Sequence, residues 1–168
     1  SAARGVSTVS LVIGARSIAS VSRRASICGR CGAAVLQGAV RLTLVRNATL
    51  VVELAGRRIL VDPMLDDAGA RPPIEGTANP VRNPTVPLPF PAEEVVSGID
   101  AVLVSHRHRD HLDETAERLL PRDVPVFCQP EDEEALAALD LDARPVGEAL
   151  DWDGLRLVRT PARHGSGS

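Results

Sequence analysis

The stretch Ile99-Asp100-Ala101-Val102-Leu103-Val104-Ser105-His106-Arg107-His108-Arg109-Asp110-His111 decides the fold. An apolar run of strand length gives way abruptly to a polar loop holding three of the four histidines in the chain, with an aspartate among them. Imidazole nitrogen and carboxylate oxygen are the usual ligands of a catalytic zinc or similar transition metal. If residues 106–110 are extended, His106, His108 and Asp110 lie on one side. His106 and His108 then grip one cation, and Asp110 and His111 turn towards a second. The bland alternative is a polar loop with solvated histidines.

Working outward, Leu112, Ala116, Leu119 and Leu120 have helical spacing, with acids in the first turn and Pro121 as a stop. Residues 124–128 read as a strand, and Pro130 with the acids after it opens a second helix to about Leu139. Residues 143–146 make an edge strand, and residues 149–158 a hairpin turning at Asp153-Gly154. Upstream, residues 41–45 and 49–54 read as strands, and residues 49–61 as a hairpin through Ala55-Gly56 that ends at Asp62-Pro63. Residues 66–91 carry seven prolines and form a long loop, in which Leu88 and Phe90 are expected to tuck into the core. His164, the fourth histidine, also follows a strand.

The 168 residues suit one domain, with 44% hydrophobic content and few aromatics, so the core is built from Val, Leu, Ile and Ala. Residues 1–40 hold five arginines and no acid, whereas 41–168 set fourteen arginines against all twenty-two acids. That acidic body argues against nucleic acid, and no apolar run is long enough to span a membrane. Residues 1–40 read as a disordered or non-native extension, with an organelle transit peptide as the alternative. Their Cys28-Gly29-Arg30-Cys31 is half of a zinc or redox motif without a second pair. Three cysteines without a clear secretion signal fit a reducing, cytoplasmic setting.

Strands, a His-x-His-x-Asp-His loop opening a helix, βα units and a lone histidine past a strand: this order resembles the metallo-β-lactamase superfamily from about Arg41 to Ser168. Asp62-Pro63, the Asn79-Pro80 to Pro91 segment and His164-Gly165-Ser166-Gly167 resemble its small hydrolases, a subgroup with sugar-lactone hydrolases and phosphodiesterases. The resemblance implies an α/β fold, the N-terminal half of an αββα sandwich, with residues 41–168 as a truncated domain. It assigns His106, His108 and His164 to one metal and Asp110 and His111 to a second, with Asp110 also orienting the nucleophile. Asp62 is either a carboxylate steering a ligand histidine or a turn residue before proline.

The implied function is a zinc-dependent hydrolase using one or two ions, with manganese or iron as alternatives. A metal-bound hydroxide would attack an ester, lactone, amide or phosphodiester of a small-molecule substrate. The family's second half normally adds a bridging aspartate and a last histidine. The chain alone is therefore expected to be poorly active and to lack the opposing sheet that covers its apolar face. A non-catalytic metal-binding module or fragment is the rival reading. Asn47 stands before Thr49, where the family often carries histidine.

Overall fold

The computed structural model describes residues 7–11, 40–73, 78 and 80–161. In chain order the elements are β1 (Ser7–Leu11), β2 (Arg41–Arg46), β3 (Thr49–Leu54), β4 (Arg57–Val61), α1 (Ala92–Val95), β5 (Ala101–Leu103), α2 (Glu114–Leu119) and β6 (Pro125–Cys128). A 3-10 turn (Pro130–Asp132), α3 (Glu133–Ala137), β7 (Asp142–Pro145), β8 (Ala149–Trp152) and β9 (Leu155–Pro161) follow. They form a six-stranded mixed sheet in the order β2-β3-β4-β5-β6-β7 and a three-stranded sheet in the order β1-β9-β8. This is the expected α/β class.

Turn chemistry sets the antiparallel hairpins. Ala55 and Gly56 have φ of 51° and 78°, and Asp153 and Gly154 have 49° and 82°. Two successive positive φ values match the twist of a two-residue hairpin. The parallel part of the sheet follows from β4, whose Ile59, Leu60 and Val61 pair with Ala101, Val102 and Leu103. Alternation then sorts the side chains into two cores. Val51, Leu60, Val102, Val104, Val126 and Cys128 meet Val95, Ala116, Leu120 and Leu136 of the helical layer. Val52, Ile59, Ala101, Leu103 and Phe127 face Leu155 and Leu157 of β9. Each fully buried Leu, Val or Phe contributes about 1.5–3 kcal/mol relative to exposure.

Several expectations are corrected. The second face of the large sheet is not left without an opposing sheet: β8 and β9 cover it through Leu155, Leu157, Leu150 and Trp152. Trp152 meets Phe127 edge-on at a ring separation of 5.2 Å. Ser7–Leu11, within the segment read as an extension, pairs antiparallel with β9 and supplies that strand's second neighbour. In the proline-rich segment Leu88 packs against the core as expected, but Phe90 is 46% exposed. Within that segment Arg71 and Asn83 exchange backbone hydrogen bonds of 2.7 and 3.1 Å. Strand β5 is shorter than its apolar pattern, and so is helix α2, which starts only at Glu114, after its cap Asp113.

Candidate metal centre

Parallel pairing brings the ends of β4 and β5 side by side, so Asp62 and Ser105 leave the sheet as neighbours. The Asp62 amide still donates to the Leu103 carbonyl at 2.9 Å, and the Val104 amide donates to Phe127 at 2.9 Å. Beyond those bonds the ladder stops, at the carboxyl edge of the parallel strands, where open α/β sheets place their ligand sites. Asp62 adopts φ 45°, a left-handed conformation that aspartate tolerates better than most residues. Its carbonyl accepts from Thr49 Oγ1 at 2.7 Å.

Asp62 is 5% exposed, and its carboxylate organises the loop. Oδ1 accepts from the Ser105 amide at 2.7 Å, and Oδ2 from the Ser105 hydroxyl at 2.8 Å. Oδ2 also lies 2.9 Å from His111 Nδ1. A carboxylate can only accept, so His111 carries its proton on Nδ1 here. Ser105 Oγ, having spent its hydrogen on Asp62, is an acceptor for His106 Nδ1 at 3.1 Å. Both imidazoles are thereby set in the tautomer whose Nε2 has a lone pair for a metal.

The loop is not the extended run expected. Residues 109–111 form a turn, and the His108 carbonyl accepts from the amides of His111 and Leu112 at 2.9 and 2.8 Å. The turn buries His106, leaves His108 exposed and folds His111 back over the site. The His106 ring lies 4.6 Å from that of His108, edge-on, and 4.0 Å from that of His111. Asp110 Oδ2 is 3.7 Å from His111 Nε2, with the Asp110 side chain 43% exposed. His106, His108, Asp110, His111 and Asp62 are therefore gathered at one place, while His164 lies outside the described residues. The Cys28–Cys31 pair lies outside them too.

Electrostatics favour a cation here. Burial alone would lower the His111 pKa, but the hydrogen bond and charge of Asp62, with the charge of Asp110, outweigh it and raise the value. Cys128 is different: burial pushes its thiol up to about 12, so it is an inert core residue. The donors fit a transition metal in type. Among the described residues, however, no group of three or more His, Cys, Asp or Glu side chains is arranged to hold an ion.

Sequence spacing does not show the contacts of three further residues. Ser105 was visible as the residue before His106, and its bridging role follows only from the β4–β5 pairing. Arg46 is buried, with its guanidinium on the carbonyls of Met64, Asp66 and Val86. Asn47 donates through Nδ2 to the backbone carbonyl of Asp110 at 3.0 Å.

The sequence pattern described as "Beta-lactamase superfamily domain" matches residues 57–168. The chain is 34% identical over 131 residues to the UPF0173 protein YddR of Bacillus subtilis, covering 76% of this chain and 52% of that protein. A UPF0173 metal-dependent hydrolase of Xanthobacter autotrophicus is 27% identical over 137 residues, covering 76% and 49%. Among solved structures, an isothiocyanate hydrolase from Delia radicum gut bacteria superposes with TM-score 0.62 at 37% identity, covering 67% of this chain and 44% of its own. A possible metal-dependent hydrolase from Veillonella parvula gives TM-score 0.67 at 35% identity, covering 70% and 46%. The chain spans about half the length of the curated relatives it matches. It belongs to the metallo-β-lactamase superfamily.

Proposed function

We propose that the loop Ser105–His111 is the principal ligand loop of a zinc-dependent hydrolase of small molecules. One observation carries the reading: Asp62 and Ser105 hold His111 and His106 by Nδ1, so that Nε2 of each ring is the nitrogen that would be offered to a metal. When bound, a divalent metal supplies a water acidic enough to ionise near neutral pH and a Lewis acid for a carbonyl or phosphoryl oxygen. The chain's own residues do the rest. His106, His108 and His111 present nitrogen donors, and Asp62 keeps the His111 tautomer fixed. Asp110 offers a partly exposed carboxylate beside His111, where it can accept a proton from water and orient it.

His164 is the candidate third nitrogen for the site begun by His106 and His108. Because this chain spans about half of its relatives, full turnover is expected to require donors beyond the described loop. An electrophile attacked by water is the substrate class: an ester, lactone, amide or phosphodiester. An isothiocyanate, whose central carbon takes up water to release an amine and carbonyl sulfide, is included on the strength of the 37% identical structure.

The test is hydrolysis of a nitrophenyl ester, a bis-phosphodiester and an aryl isothiocyanate, before and after chelation and zinc re-addition. Zinc-dependent turnover lost in His106→Ala supports the hydrolase. Stoichiometric zinc with no turnover on any of the three supports the metal-binding module instead.

A further inference from the structure

The turn between β2 and β3 reaches the ligand loop although neither strand belongs to the parallel part of the sheet. Asn47 sits in this turn at φ 49° and its side chain amide donates to Asp110, 63 residues away in sequence, at 3.0 Å. The same amide lies 3.5 Å from Met64 Sδ. Its neighbours hold the loop on the other side of the site. Arg46 Nη2 donates to the Asp66 carbonyl at 2.8 Å and Nη1 to that of Val86 at 3.1 Å. Thr49 Oγ1 donates to the Asp62 carbonyl at 2.7 Å and accepts from the Met64 amide at 2.9 Å.

Residues 46–49 therefore tie together the two loops that carry Asp62 and Asp110. Arg46 and Thr49 are buried and serve packing as well. Asn47 is exposed, and its amide touches the core only at Met64 Sδ. The backbone restricts what can stand there: asparagine is among the few side chains that enter the left-handed region without much strain. Glycine would keep the turn and lose the donor. Aspartate would keep the shape and set an acceptor against the Asp110 carbonyl.

We infer that Asn47 is a positioning residue for the metal centre, fixing the 108–112 turn through the Asp110 carbonyl and so the placement of the Asp110 carboxylate beside His111. The inference rests on Asp110 and His111 being metal ligands, and it deepens that reading by adding a tether from a separate element. Inside the turn the His108 carbonyl already accepts the amides of His111 and Leu112, and His111 is held by Asp62, so the Asn47 bond adds a second anchor to the body, at Asp110.

Two measurements on the whole chain separate this inference from the ligand assignment. The first needs no metal: amide hydrogen exchange at His111 and Leu112, compared with Val102 in β5. Asn47→Gly and Asn47→Asp are expected to speed exchange at His111 and Leu112 about tenfold, with Val102 unchanged. The second is competition between the protein and a chelator for cobalt(II), with the visible spectrum as the readout of ligand geometry. Both variants are expected to bind about tenfold more weakly with an altered spectrum, at an unchanged metal-free unfolding midpoint. Wild-type exchange at His111 and Leu112 in Asn47→Gly would overturn the tether, whatever the metal does. Faster exchange with cobalt affinity and spectrum unchanged would overturn its role in the metal centre. A wild-type chain that binds no cobalt, with exchange altered as expected, would defeat the ligand assignment and with it the positioning role, leaving only the tether.

Discussion

Two buried aspartates, Asp62 and Asp113, look alike by burial and differ in what they hold. Asp113 is fully buried, and its oxygens accept from the amides of Asp66 at 2.7 Å and Ala116 at 2.9 Å. Both donors are backbone, and one is the first turn of α2, so this carboxylate is a helix cap that also pins a loop. Asp62 accepts from one backbone amide and then from a hydroxyl and an imidazole. A carboxylate that satisfies backbone serves the fold. One that fixes the tautomer of a histidine decides which ring nitrogen that histidine offers. Burial alone would have ranked Asp113 first, and its raised pKa, caused mainly by desolvation, would have done the same.

The comparison is broken most forcefully at the structural aspartate. Asp113→Ala strands two buried amides and removes a helix cap, with an expected loss of about 2–4 kcal/mol in urea denaturation. Its metal affinity per folded molecule should be unchanged. Asp62→Ala is expected to lose less stability, about 1–3 kcal/mol, because the Ser105 hydroxyl can rotate to another acceptor. Its zinc affinity should fall about 10–100-fold, measured by chelator competition. Equal stability losses with equal affinities would erase the distinction between the two.

A smaller effect is expected in acid. Asp66 is buried, which by itself would raise its pKa. Its bonds from Thr115 and the Arg71 guanidinium at 2.5 Å outweigh that and hold the pKa below the ordinary carboxylate value. A depressed folded-state pKa means that its stabilisation is complete above the unfolded value, about 3.9, and is lost as pH falls through the folded value. Asp66→Asn should therefore flatten the fall in stability below about pH 4, in urea titrations at successive pH values. An identical acid limb in wild type and variant would remove Asp66 from the account. Smallest of all, the Cys128 thiol, pushed up to about 12 by burial, should stay silent to a thiol reagent until the chain unfolds. Reaction of the folded protein at Cys128 would contradict its place in the core.

What the sequence disclosed and what it hid divide along physical lines. The β5 run, the 105–111 loop and the turns at Ala55-Gly56 and Asp153-Gly154 were legible because each is local: periodicity and turn chemistry act over a few residues. Asp62 was visible as a candidate only through resemblance, since a turn before proline explains an aspartate equally well. The Asn47–Asp110 and Asp66–Asp113 bonds span 63 and 47 residues and leave no trace in spacing. The cover that β8 and β9 place over Phe127 was hidden for the same reason. Phe90 misled because an apolar residue in a polar loop has no periodic neighbours to show which way it faces.

The most direct measurement is the zinc content of the purified, zinc-equilibrated chain by elemental analysis, beside His106→Ala, His111→Ala and Asp113→Asn. The account predicts bound zinc in wild type and Asp113→Asn, and its loss in both histidine variants at retained secondary structure. Zinc absent from wild type, or equally present in both histidine variants, would contradict a metal centre built on the 105–111 loop.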